Sequence, residues 1–410
     1  MAQLRVSSAV IRIILLFVLL PFSSITAAQA LDLADWSALE REARGETVYF
    51  NAWGGEPRIN SYLNWVADIL EQRFDINLQH VKVADISEAV SKIVAERQSS
   101  NDADGSIDLM WINGENFAAL KENNLLFGPW AEEQPNFKLV NADRFPEMRE
   151  DFTVPTVGFE SPWTRSQLVF YHDSRWLAEP PQTIDAILDW SRSNPGEFTY
   201  PRPPAFLGTT FLKQAVLELS SKDPALFAPV TDNEFQRVTT ALWDYLDALH
   251  PTLLRAGRYF PNSAAELRRL MGDGEISLAL AFNPNEALLS IRTGELPDSV
   301  RTYVLQGGTI GNVSFLAIPY NAQHKAAAII TANFLLSIEA QARASDPNHM
   351  GSTTVISIED LDVGARRQFD SVSSDLASAS PEELSRKLQE PHPSWTPALE
   401  RAWIRRYSAR

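Results

Sequence analysis

The chain has 410 residues, a net charge of −16 and no cysteine. The missing cysteines exclude disulfides, cysteine–zinc sites and cysteine nucleophiles. The acidic balance argues against nucleic acid and anionic membrane surfaces as partners. A chain of this length can bury enough core to stand without bridges, and two domains are expected.

The first thirty residues read as a targeting segment. Arg5 and Arg12 supply positive charge, IILLFVLLPF (13–22) is a short apolar core, and AQA (28–30) is a small-x-small cleavage site. Together they predict a secretory signal peptide, 1–30, cleaved after Ala30. The apolar run falls short of the roughly 20 residues of a membrane-spanning helix. No cysteine follows it, which excludes a lipid-anchored lipoprotein. A cysteine-free exported chain fits a bacterial periplasm better than a eukaryotic exterior.

TVYFNAW (47–53) then predicts a buried strand. From Arg58, apolar Ile59, Tyr62, Leu63, Val66, Leu70 and Phe74 recur at helical spacing. INLQHVKVA (76–84) alternates like a strand, and Ser87 is placed as the N-cap of the helix behind it. SIDLMWI (106–112) is a third strand, with NFAALKENN (116–124) helical after it. Strands alternating with helices imply a parallel sheet covered on both faces.

The stretch 154–174 holds two apolar strand-like runs separated by ESPWTRS. Thr183 caps the helix that follows, and proline-rich NPGEFTYPRPP leads into another. GEISLALAFNPNEALLS (274–290) reads as strand, turn and helix start, GGTIGNVSFLAIP (307–319) as a strand, and HKAAAIITANFLLS (324–337) as a helix. Beyond Ser345 the chain is polar and helical. The α/β pattern thus occurs twice. The expected division is lobe 1 over 31–160 plus 305–345, lobe 2 over 161–304, and C-terminal helices over 346–410 packing on the lobes.

Enzyme signatures do not emerge. There is no P-loop, HExxH or GxSxG, the six histidines are scattered, and MGDGEIS (271–277) lacks the third glycine of a phosphate loop and precedes a strand. No catalytic residue, metal or cofactor is assigned. The strand ends carry the signal instead: WGGE (53–56), NGEN (113–116), SPWTRS (161–166) and FNPNEA (282–287) join aromatic or amide side chains to Gly or Pro. In open α/β sheets, ligands bind outside the carboxyl ends of the strands. Glycine permits close backbone approach, asparagine both donates and accepts, and tryptophan offers a face for stacking or for a cation.

The candidate ligand residues are Trp53, Gly54, Gly55 and Glu56, then Asn113, Gly114 and Glu115, then Trp163 and Arg165, then Gly208, Thr209 and Thr210, then Asn283 and Asn285, with Asn312 on the later strand. Each has a plainer role open to it. Trp53 can be core, the glycine pair a helix-entry turn, Arg165 a structural ion pair, Thr209 and Thr210 helix caps, and the asparagines turn residues. Their recurrence at corresponding places in both units is the argument for a site.

These features resemble the bacterial periplasmic solute-binding proteins of ABC importers. DLMWINGENFAAL, SPWTRSQLVFYHDS and GGTIGNVSFLAIPYNAQHKAAAIITANFLLS carry the resemblance, which covers the mature chain and is nearest to the YnjB-type branch, linked by analogy to thiamine-like transport. The resemblance implies an α/β, type II, Venus-flytrap fold: two lobes, each a mixed or parallel sheet flanked by helices, joined by two crossover segments. It also implies a monomer that takes a small polar, cationic or thiamine-like solute between the lobes and passes it to an inner-membrane ABC permease. Iron-binding relatives use an adjacent tyrosine pair, which this sequence lacks. The rival readings are an exported hydrolase and a non-transport ligand-sensing protein.

Overall fold

The computed structural model describes residues 31–369 and 377–407. The predicted signal peptide, 1–30, lies outside them. No helix among the described residues is long and apolar enough to cross a membrane.

The first unit opens with helix α1 (Trp36–Ala43) and strand β1 (Thr47–Trp53). Helix α2 (Pro57–Phe74) follows, with proline at its start, where no N–H is needed. Its Ile59, Tyr62, Leu63, Val66 and Leu70 form one buried stripe. Asp75 closes it in the left-handed region, donating its N–H to Leu70 and Glu71 carbonyls. Next come β2 (Asn77–Val83), α3 (Ser87–Gln98), β3 (Leu109–Ile112) and α4 (Glu115–Glu122). Ser87 is not the cap of α3. Asp85 does that work by accepting the Ser87 N–H at 2.9 Å, while Glu88 accepts from Ala84 and Asp85.

A short hairpin, β4 (Glu150–Asp151) and β5 (Val154–Pro155), leads to β6 (Glu160–Gln167). Here the sequence expectation is corrected, because the ESPWTRS segment is itself a strand inside the large sheet. Two of its polar side chains are bonded within the fold. Ser161 accepts from Gln134 at 2.9 Å, and Gln167 donates to Thr309 at 3.2 Å. The register beside Pro162 shifts by one residue, so proline sits at a bulge where its missing N–H does least harm.

Strand β7 (Val169–Asp173) starts the second unit after a one-residue crossover at Leu168. It continues through α5 (Ile184–Ser193), capped by Thr183 as expected, α6 (Phe206–Leu219), α7 (Asp232–Leu249) and α8 (Ala264–Gly272). β8 (Leu278–Ala281), α9 (Glu286–Arg292) and β9 (Val300–Tyr303) complete it. The chain then returns through β10 (Thr309–Ala317), α10 (Lys325–Leu335), α11 (Ile338–Ser345) and β11 (Thr353–Thr354). After the short helices α12 (Val363–Arg366) and α13 (Pro381–Leu384) come β12 (Lys387–Leu388) and α14 (Trp395–Tyr407).

The large sheet runs β11-β6-β10-β3-β1-β2, with β12 beside β10. β1 is parallel to β2 and β3, whereas β10 is antiparallel to β3 and β6. All nine residues of β10 are buried, as a central strand covered on both faces requires. Neighbouring side chains alternate between two cores. Leu109 and Leu316 join α1, α2 and α10, while Met110, Ile112 and Ala317 join α3 and α4. The second sheet is smaller and wholly antiparallel, β8-β7-β9. Its core includes Phe170, Phe198, Tyr200, Phe211 and Leu242, and also Trp395, Leu399, Trp403 and Tyr407 of α14. The C-terminal helix therefore belongs to the second unit's core, which Ala379 and Leu384 also join ahead of β12.

Candidate functional site

The loops at the carboxyl ends of β1, β2 and β3 face the second unit. At the first, Trp53 is 40% exposed and its ring lies over Gly55, where a Cβ would stand 2.6 Å from the ring. Gly54 donates to Val83 O at 3.1 Å and accepts from Asn60 at 3.0 Å. Glu56 caps α2 through the Arg58 N–H (3.3 Å) and holds the Arg58 guanidinium at 3.1 Å.

Charges from the second unit complete this cluster. Arg268 of α8 bonds Glu286 of α9, pairs with Glu295 at 2.7 Å and lies 3.5 Å from Glu56. Arg58 in turn lies 3.9 Å from Glu286. The four central side chains are only 12–16% exposed, so water screens them poorly. Beside them Asn285 donates to Gly351 O at 2.9 Å, tying α9 to the chain after α11. The two units are thus shut against each other along this edge.

A second cluster lies at the β3–α4 turn. Gly114 has φ +62, and its N–H donates to Asp151 at 2.6 Å. A Cβ there would come within 2.5 Å of the Phe152 ring, so only glycine fits both backbone and neighbour. Lys213 reaches across from α6. Its ammonium sits 4.6 Å from the Phe152 ring centre, 5.9 Å from that of Phe206 and 2.7 Å from Glu390. Asn312 donates to Glu390 at 3.0 Å, and Thr209 donates to Glu400 at 2.8 Å.

This cluster holds more carboxyl groups than cations. Burial pushes the Glu115 carboxyl up to about 7; Lys213 opposes that, while Glu400 and Glu390 add to it. Burial also holds Asp151 well above the usual carboxylate range against the Gly114 bond, with Glu115 and Glu390 adding to the rise. Burial raises Glu400 too, offset by Thr209 and Lys213 and reinforced by Asp85 in the β2–α3 turn. Behind them Glu160 is raised by burial and then by Asp151. Such a site favours a cation that would let its carboxylates ionise. Among the described residues, no group of three or more His, Cys, Asp or Glu side chains is arranged to hold a metal.

Residues 64–356 match the family model described as bacterial extracellular solute-binding protein. The chain is also 45% identical over 374 residues to Protein YnjB of Escherichia coli (strain K12), covering 91% of this chain and 94% of that protein. The chain belongs to the bacterial extracellular solute-binding proteins. This solute-binding protein is accordingly a binder and not an enzyme, and its family works outside the cytoplasmic membrane.

Solved structures give it the type II periplasmic-binding-protein fold. The periplasmic binding protein AfuA from Actinobacillus pleuropneumoniae, with exogenous fructose-6-phosphate bound, matches at TM-score 0.62 and 17% identity, over 89% of this chain and 99% of that one. The spermidine/putrescine ABC transporter substrate-binding protein PotD from Streptococcus pneumoniae matches at 0.59 and 14%, over 89% and 99%. Iron-bound HitA from Pseudomonas aeruginosa matches at 0.60 and 17%, over 87% and 99%.

The fold of this solute-binding protein brings many of the sequence candidates to the face between the lobes. Trp53, Gly54, Gly55 and Glu56 lie at one cluster, and Gly114, Glu115, Thr209 and Asn312 at the other. Asn113 precedes Gly114 on the same turn, and Asn285 bridges the lobes. Others are placed elsewhere. Trp163 is fully buried against Phe50, Tyr62 and Trp111 in the core under α2, so the expected ligand contact is corrected. Arg165 donates to Thr354 O at 2.7 Å and lies over Phe145, tying β6 to β11. The Gly208 amide donates to Ala205 O at 2.9 Å, and a Cβ there would meet Pro201 O at 2.0 Å, making it a packing glycine. Thr210 bonds back to Phe206 O, and Asn283 accepts from the Asn285 N–H within its own turn.

Sequence reasoning missed Lys213, Arg268, Asp151, Glu286, Glu390 and Glu400. Lys213 left a signal, as a lone cation in the apolar helix FLGTTFLKQAVLEL, and Glu286 stood inside the flagged turn FNPNEA.

Proposed function

We propose that this protein is the periplasmic solute-capturing component of an ABC importer. It takes a small polar, cationic solute into the cleft between its lobes and presents the closed form, as a monomer, to a membrane permease. The supporting observation is the carboxylate excess around Lys213, drawn from both lobes and from the C-terminal segment. Closure is driven by the solute's greater affinity for the closed form, with hinge bending at the strands between the two sheets. Trp53, exposed at the cleft edge, offers a face to a flat or cationic group.

A thiamine-like compound heads the candidates, because a thiazolium combines fixed positive charge with a stackable ring. PotD, with the same fold, is named for polyamines, the other cationic class. The test is to purify the protein natively, denature it and identify any released solute by mass spectrometry. A thermal-shift panel of thiamine and its phosphates, polyamines, sugars, sugar phosphates and metal ions follows, since bound ligand stabilises by mass action. Failure of every solute to bind would overturn the reading. A shift with sugars alone would overturn the cationic preference.

A further inference from the structure

The edge where the lobes meet also holds a contact that involves no charge. Its lobe 1 side is the turn that follows α11. There the Asp346 carboxylate accepts from the Asn348 N–H at 2.8 Å and from the Asn348 amide nitrogen at 2.9 Å. The Asp346 carbonyl accepts from His349 at 2.9 Å and from Gly351 at 3.2 Å, and Ser352 donates back to Ala344 O at 2.9 Å. Met350 anchors the turn in the core under α2. All these bonds lie inside lobe 1, so the turn keeps its shape whether or not the lobes touch.

The lobe 2 side is the start of α9. Asn283 accepts from the Asn285 N–H at 3.0 Å, and the Glu286 N–H donates to Asn283 O at 3.0 Å. The Asn285 side chain makes no capping bond to its own helix. Its amide nitrogen crosses to Gly351 O at 2.9 Å instead. One helical turn on, Leu289 lies against Gly351, where a Cβ would stand 2.7 Å from the Leu289 Cδ1. Leu289 is buried, and Gly351 has φ +66. A glycine here lets helix and turn come this close. Both surfaces are therefore shaped by their own lobes, with no bound molecule needed to form them.

Resting on the hinged, two-lobe capture reading above, we propose that the start of α9 and the turn at 346–352 form a closure latch. The latch holds the unliganded lobes shut and fixes the angle at which closing stops. Asn285 supplies the bond, and Leu289 against Gly351 supplies the stop. Asn285, placed among the ligand candidates by sequence, serves closure. The ion pairs of Arg58 and Arg268 on the same edge weaken as salt rises. An amide–carbonyl bond and an apolar contact carry no net charge to screen, so this part of closure survives high salt. The latch lowers the free energy that a solute must supply through its preference for the closed form. It also makes solute entry wait on openings of the cleft.

The experiment is small-angle X-ray scattering of the full-length mature protein without solute, at about 0.15 M and about 1 M salt, for wild type, N285A and L289F. N285A removes the cross-lobe bond and spares the helix cap. Loss of one such bond shifts the closed-to-open ratio about threefold to tenfold. L289F leaves the bonding groups in place and drives a wedge against Gly351. Both variants are expected to have a larger radius of gyration than wild type, and the difference is expected to persist at the higher salt. Circular dichroism of N285A is expected to match wild type. Scattering of N285A identical to wild type at both salt concentrations would overturn the latch. So would an increase that accompanies a loss of circular-dichroism signal, because it would report unfolding. An enlarged N285A beside an unchanged L289F would keep the bond and overturn the stop. These results are read without solute and leave capture standing, whereas failure of every solute in the panel to bind overturns capture and not the latch.

Discussion

Replacing Arg268 by alanine tests whether charge holds the two lobes shut. Arg268 touches Glu286, Glu295 and Glu56 together, and its contact with Glu56 at 3.5 Å crosses between lobes. At an effective dielectric constant near 20, a unit pair at that distance attracts by about 5 kcal/mol. Desolvating both partners offsets most of that gain, leaving a net interlobe contribution of about 1–2 kcal/mol. In R268A, Arg58 remains alone between Glu56 and Glu286, at 3.1 and 3.9 Å, and two carboxylates compete for it. A loss of about 1.4 kcal/mol shifts the closed-to-open ratio of the unliganded protein tenfold. Small-angle X-ray scattering should therefore give a larger radius of gyration for unliganded R268A than for wild type. Salt at about 1 M, where the screening length falls to about 3 Å, should move wild type part of the way. Identical scattering for the two proteins across that salt range would refute the idea that this network contributes to closure.

Other outcomes follow from the same packing and charge. W163A should lose about 3–5 kcal/mol in chemical denaturation, the usual cost of emptying a buried aromatic site, because Trp163 is fully buried among three other rings. W53A should change unliganded stability by no more than about 0.5 kcal/mol and act on solute affinity instead, since Trp53 stands at the cleft edge; thermal shift with and without solute separates the two. G114A should destabilise by about 1–3 kcal/mol through its left-handed backbone and the Phe152 ring, read from the denaturation midpoint. Stability of the unliganded protein should fall as the pH rises from about 4.5 to about 7. In that window Glu115, pushed up to about 7, keeps its proton in the folded chain and loses it in the unfolded one. Asp151 and Glu160, also raised, act in the same direction. Melting curves across that range should show the fall, and a smaller one in E115Q.

The strands and helices with a strong pattern were legible in the sequence. β1 was read to its residue limits, and the stripe of α2 from Ile59 to Leu70, because each buried face leaves a period that composition displays directly. β6 was not legible. Its buried polar residues look like a loop until Gln134 and Thr309 arrive to bond them. Trp163 misled for the same reason, since burial is a property of what packs on a residue and not of the residue itself.

The candidate site divides along that line. The glycine turns and acidic strand ends of lobe 1 announced themselves, because a sharp turn after a strand demands particular residues nearby in the chain. Lys213, Glu390 and Glu400 did not, for they lie about 100 to 285 residues from Glu115 along the chain and share no local pattern with it. By itself the sequence determined a cysteine-free α/β chain with glycine-bearing turns at its strand ends, since these rest on local periodicity and backbone freedom. Only the tertiary structure decided which charges confront one another across the cleft, because electrostatic surplus is a sum over distances in space.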